Sequence, residues 1–402
     1  MERLVFKMIE RKKAFLVVLG FVYSSVLALL SYTFIMIENT LSHCLWESAS
    51  HWIHINFVYS FFVLATLCSL VIFLKMRWGD LPKTSHELLY ELKIKGTVSY
   101  KKTWRSLFLA LVILISGAGV GPEAPLLGAV IAYSIWQADK LRYLDANWKQ
   151  MKKASPVKWL RYIFHPSRYL LSYTPDQKQI GKGWRNLLIA NGLLAFWLMM
   201  RLTDQPSFVT KLGKTDWSII DLLVFLPLCL YGFAFGKIYK WIKNIIFVNL
   251  EHLRISMPVK ISICAVAILL MRLFVPTLLF SGQHSLHTVA ELGMSTPVMN
   301  LFILSILKLL FLDLCLWAGW TGGDIFPVTF AAFLQGFGVA QLFPQVDSLF
   351  IVLVVSLSLA ITLLEKEWLA GIFISLFFPV TLFPIALLVI GLTIGGRKYI
   401  KR

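Results

Sequence analysis

Acidic residues are scarce in this chain. Asp and Glu number 21 against 39 Lys and Arg in 402 residues, and charged residues of both signs reach only 15%. So thin a charge cover excludes an ordinary soluble surface, since globular domains carry about 25% charged residues. Cysteine is sparse as well. Cys44, Cys68, Cys229, Cys264 and Cys315 are scattered through or beside apolar runs with no CxxC spacing. That pattern argues against a disulfide frame or a metal site and suits small buried fillers. No low-complexity stretch or soluble appendage is present, so the net charge of +18 has no soluble basic face with which to bind nucleic acid. The basic start of the chain leads into an apolar run at 15–37 that is too long for a cleaved signal and lacks a small-residue cleavage site. It reads as a retained first span.

What the chain has in quantity is apolar surface. Hydrophobic residues make up 58% and the mean hydropathy is +0.72. Runs long enough to span a bilayer fall at about 15–37, 53–74, 107–135, 186–200, 219–235, 261–280 and 299–317, and almost continuously over 328–394. Several are cut by Gly and Pro, at 121–125, 322–327 and 379–384. The expectation is an all-α integral membrane protein, one membrane domain over 1–402, built from ten to eighteen helical pieces. Basic clusters flank the runs: Arg3, Lys7, Arg11, Lys12 and Lys13; the interval 140–185; and Arg397, Lys398, Lys401 and Arg402. The positive-inside bias places both termini and that interval on the cytoplasmic side of a cell membrane. Such flanks also favour anionic lipid head groups. The polar intervals 75–105 and 137–185 read as loops, the first with a helix near 86–92 and the second with interfacial Trp148, Trp159 and Tyr162.

The residues 119–129, GVGPEAPLLGA, hold a lone carboxylate, Glu123, between Pro122 and Pro125 inside an apolar stretch. A carboxylate at membrane depth costs a few kcal/mol and points to function. Gly and Pro on both sides break the helix, and broken backbone at that depth needs cover from protein or a watery cavity. A helix starting near Pro125 would turn its amide end, the end that holds anions, towards the break. A second break follows at 314–336, where Gly322-Gly323-Asp324 precede Ile325-Phe326-Pro327 and a further apolar helix. Paired interrupted segments at comparable places in two halves point to an inverted-repeat transporter, here about 1–205 and 206–402, with its site between the repeats.

At these residues the chain resembles the CLC chloride channel and transporter family. The gate loop stands as Gly121-Pro122-Glu123-Ala124-Pro125 and the later loop as Gly322-Gly323-Asp324-Ile325-Phe326-Pro327. The stretches 280–286, 307–310 with Ala318-Gly319, and Asp221-Leu222-Leu223 followed by Pro227 and Gly232 are similar to the family's approach to that loop. The resemblance covers about 60–395. It implies a homodimer with one pore per subunit, an inverted repeat of short, tilted and broken helices, and no cofactor. It implies that Glu123 is the gate, and that amides of Gly121, Ala124, Ile325 and Phe326 hold chloride or a similar small anion. The inner motif would fall at 78–82, with Gly79 at the central anion and Asp80 beside it. A deprotonated Glu123 competes with an anion for the same amides, and a protonated or displaced one yields the site.

Departures from the family pattern bear on these expectations. Pro122 has no amide hydrogen. Gly79 replaces a serine hydroxyl and Asp80 a glycine. Asp324 would repel an anion unless its side chain faces elsewhere, which is the expected arrangement. Pro122, Asp324, Asp80 and Tyr399 are thus pore-lining candidates, Tyr399 being the one available match to a central tyrosine, though it reads more readily as an interfacial anchor. Leu202 stands where an internal proton-accepting glutamate is expected, with Asp204 close but offset. This leans towards a passive channel. Alternatives are a proton-coupled antiporter, a fluoride or nitrate transporter on the same scaffold and, more distantly, a membrane lipid enzyme using Ser42-His43, His51 and His54. Lys308 lies close to Asp313 in sequence and reads as a membrane-embedded ion pair or a snorkelling end. His165, His284 and His287 read as loop residues rather than metal ligands.

Overall fold

The computed structural model describes residues 2–48, 56–79, 81–83, 85–174, 181–203, 209–283 and 285–400, the side chains of 2–10, 48, 56, 85–86, 182 and 396–400 excepted. Among these the regular elements are helical. Hydrocarbon offers no partner for free backbone N–H and C=O groups, and a helix satisfies them within itself. In chain order the helices are α1 (Glu2–His43), α2 (Asn56–Trp78), α3 (Ser85–Lys95), α4 (Thr103–Ile115), α5 (Glu123–Ala146), α6 (Trp148–Lys152), α7 (Pro156–Phe164) and α8 (Lys182–Leu202). They continue as α9 (Phe225–His252), α10 (Met257–Phe274), α11 (Val289–Ser295), α12 (Val298–Trp317), α13 (Ile325–Leu342), α14 (Ser348–Leu364), α15 (Glu367–Ser375) and α16 (Phe383–Ile400). Six stretches are long and apolar enough to cross a bilayer: Arg11–Glu47, Phe57–Trp78, Ile219–His252, Met257–Phe274, Val298–Trp317 and Ile325–Leu342. The chain is a multi-pass membrane protein.

Two compact units divide the chain. The first comprises 1–41, 78–111 and 124–206. Its core gathers Leu19, Tyr23, Leu144, Met151 and Ile163, so α1 packs on α5, α6 and α7. Tyr23 donates its hydroxyl to the Ile163 carbonyl at 2.8 Å, and Asn191 of α8 donates to Phe21 O and to the Ser24 and Ser25 hydroxyls of α1. The interval 140–185 is therefore more than a basic loop. Lys140 in particular is no flank charge: it is fully buried and donates to His165 O at 2.8 Å and Arg168 O at 2.7 Å, closing the 165–168 turn.

The second unit comprises 42–77, 112–123 and 207–402. The apolar run over 328–394 folds into α13, α14, α15 and α16. Helices α13 and α14 are buried nearly all round, as expected of helices without a polar face. Small residues let α9 approach α14: a Cβ at Gly232 would overlap Ser358 Oγ and come within 2.8 Å of Val355 O, and one at Gly236 would meet Thr362 at 2.8 Å. Asp347 caps α14 by accepting the Phe350 N–H at 2.8 Å. The expected pairing of Lys308 with Asp313 is not formed. Asp313 accepts from Tyr239 Oη at 2.6 Å and Lys243 Nζ at 2.5 Å, while Lys308 finds carbonyl partners instead. Of the cysteines, Cys68, Cys229, Cys264 and Cys315 are buried fillers and Cys44 is exposed.

Candidate anion site

The run expected over 107–135 is broken into α4 and α5 by the seven residues 116–122. Gly117 turns the chain at φ +86°. Three bonds then hold the loop: Trp46 Nε1 donates to Ile115 O at 2.7 Å, Phe280 N to Gly117 O at 3.1 Å, and Gly119 N to Cys315 Sγ at 3.3 Å. On the other side α12 ends at Trp317, Gly319 turns at φ +80°, and α13 begins at Ile325. The two breaks clasp one another. Gly121 N donates to Gly323 O at 2.8 Å and Gly323 N to Gly121 O at 2.7 Å, an isolated bridge.

Glu123 lies across this clasp. Its Oε1 accepts the Ile325 N–H at 2.8 Å and the Phe326 N–H at 3.3 Å, joining residues 202 and 203 positions apart. The first N–H groups of a helix have no intrahelical partner, and they sit at its positive end. Two charge-assisted bonds at such an end offset much of the cost of burying a carboxylate. Oε2 is buried and has no hydrogen-bond partner among the described residues. A Cβ at either Gly121 or Gly323 would overlap the Glu123 carboxyl group, so glycine at both positions makes the seat. Gly322 is held similarly, its Cβ position 2.5 Å from Val120 Cγ2.

The fit to the expected residues is uneven. Glu123, Ile325 and Phe326 meet. Gly121 differs from the expectation of an anion-holding amide, because its N–H is committed to the Gly323 carbonyl; it shapes the seat instead. Pro122 is buried. Ala124 stands in the first turn of α5, where an N–H has no intrahelical acceptor. Asp324 is exposed and leaves the start of α13 uncapped by its side chain, so the amides remain for Glu123. Gly79, in the first unit, adopts φ +78° and its carbonyl accepts Leu81 N at 2.7 Å. Asp80, Asp204, His51, His54 and His284 lie outside the described residues, as does the Tyr399 side chain. His43 pairs with Glu47 at 3.1 Å, and His287 bonds the Thr210 hydroxyl. Two participants lie beyond the residues expected at the site. Gly323 is signalled in the sequence by the Gly-Gly pair ahead of Asp-Ile-Phe-Pro. Phe373, whose ring meets that of Phe326 edge-on at 5.3 Å, carries no local signal.

Two comparisons bear on this geometry. The voltage gated chloride channel family model matches residues 186–391, just over half of the chain, and the chain belongs to that family. The match includes the Ile325-Phe326 break and starts beyond Glu123. An X-ray structure of a slow cyanobacterial Cl−/H+ antiporter is similar at TM-score 0.64 and 13% identity, over 94% of this chain and 98% of that one. A crystal structure of a CLC-type fluoride/proton antiporter is similar at TM-score 0.60 and 15% identity, over 94% of both chains. At such identities the likeness is one of fold. No curated protein matches the chain in sequence.

Proposed function

We propose that this protein carries chloride or a similar small anion across the cell membrane, with Glu123 as the gate. The supporting observation is the pair of bonds from the Ile325 and Phe326 amides to Glu123 Oε1. An ionised carboxylate there occupies donors that a transported anion needs. Protonation weakens its claim on them and releases the site, so flux rises as pH falls. By the family resemblance alone, Ala124 and Gly79 are further anion-binding candidates and Asp80 a pore-lining one. Pro122 and Asp324 line the approach, Asp324 with its side chain turned outwards. The halves 1–205 and 206–402 form the two repeats, the functional unit is a homodimer, and both termini face the cytoplasm.

Transport is passive in this reading. Leu202 occupies the place of an internal proton acceptor and is 76% exposed, without a titratable group of its own. Proton-coupled exchange is the second reading, and simultaneous recording of chloride and proton flux from liposomes separates the two. Chloride movement without proportionate proton movement is expected. An outward chloride gradient that drives protons at a fixed ratio contradicts it.

A further inference from the structure

Lys308 is fully buried on α12 and is used by nothing in the gate proper. Its Nζ donates to Leu278 O at 2.8 Å and to Phe280 O at 2.5 Å, with the rings of Phe311 and Phe330 5.9 Å away. No ion pair reaches it among the described residues. A cation buried without a counter-charge is costly, and its two carbonyls are left unpaired if it goes.

Those carbonyls converge only because the chain is bent there. Phe280 sits in the left-handed region at φ +58°, a conformation unfavourable for a bulky residue, and Gly282 follows at φ +83°. The same Phe280 donates its N–H to Gly117 O. Gly117 opens the loop that closes on Gly121, whose clasp with Gly323 seats Glu123. An unbroken line of contacts thus runs from the Lys308 ammonium through Phe280 and Gly117 to the gate loop.

We propose that Lys308 is a positioning residue for the gate: its charge holds the bent 278–282 segment, and through Phe280 and Gly117 that segment fixes where Glu123 meets the α13 amides. This rests on Glu123 being the gate. Other charged or titratable groups stand near the line. Asp324 is the charged neighbour of Glu123, Cys315 the titratable neighbour of Lys308, and Lys75 of α2 approaches Gly319.

The test is chloride flux from liposomes over a pH series, using purified full-length wild type, E123Q, K308M, K308Q and K308R. Loss of the charge loosens the amide grip that favours ionised Glu123. The pH of half-maximal flux should therefore rise by about one unit in K308M. K308R keeps the cation and its donors and should retain the wild-type profile. Should K308M not fold, K308Q keeps one amide donor at the site and serves in its place, and hydrogen exchange over 116–122 should quicken in it. A merely structural role lowers thermal stability without moving the pH profile. A wild-type half-maximal pH and unchanged exchange in the neutral variants, with E123Q flat, would overturn the positioning role and leave the gate standing. Persisting pH dependence in E123Q would instead overturn the gate itself.

Discussion

Glu123 owes its place to two glycines as much as to two amides. The carboxyl group fits because nothing larger than hydrogen projects from Gly121 and Gly323, and either Cβ would collide with it. G323A should consequently expel the side chain and imitate a missing gate. Losing bonds to a charged acceptor costs about 1.5–3 kcal/mol, so closure at neutral pH should weaken roughly tenfold or more. Elevated chloride flux at neutral pH from a folded G323A protein is the outcome to look for. Flux and pH response both equal to wild type would mean that the seat tolerates a methyl group and does not depend on glycine. Asp324 sets a contrasting case. Exposed and without a bond to its helix, it should be replaceable by Asn with little change in thermal stability.

At the scale of elements, the starts of α13 and α14 differ in a telling way. Both follow an aspartate. Asp347 turns back to cap Phe350 N and also accepts from Thr215 Oγ1 and Asp216 N, whereas Asp324 leaves the amides of α13 to another part of the chain. D347A should lower stability by about 1 kcal/mol or more, since one cap alone is worth that, and a thermal melt in detergent reads it directly. Helix α3 offers a pH test away from the membrane spans. Hydrogen bonds from Lys83 and then Lys95 hold the Glu91 carboxyl below the ordinary range. Its folded pKa is depressed, so its contribution is complete above the unfolded carboxylate value of about 4.3 and fades as pH falls through the folded value. Protection against amide exchange in 85–95, taken relative to the intrinsic rate at each pH, should fall on acidification below that point and hold level above it; E91Q should lack that fall.

The helix breaks were legible in the sequence because Gly and Pro act locally. Gly121 to Pro125 and Gly322 to Pro327 interrupt apolar runs, and a lone acid between two prolines stands out against the uncharged residues around it. The apolar character of the spans was legible for the same reason. Partnership was not. Lys308 stands five residues from Asp313, yet Asp313 turns to Tyr239 and Lys243 on α9 while Lys308 turns to a loop, and no local pattern encodes which face each takes. Lys140 likewise stands in a run of flanking cations, and only tertiary packing encloses it. The reciprocal Gly121 and Gly323 bonds, which remove Gly121 from the donors, also depend on long-range approach.

For the whole molecule, membership of the voltage gated chloride channel family sets the frame, and the similarity to two antiporters is one of fold. If transport is passive, voltage clamped across the liposome membrane should drive chloride to its electrochemical equilibrium whatever the proton gradient. Chloride held away from that equilibrium by an imposed pH difference would demonstrate coupling. The most direct measurement of gating by Glu123 is chloride flux against pH for wild type and E123Q, side by side in liposomes. Wild-type flux should climb on acidification, and E123Q flux should be high and flat. A variant whose flux still follows pH as wild type does would contradict the gate.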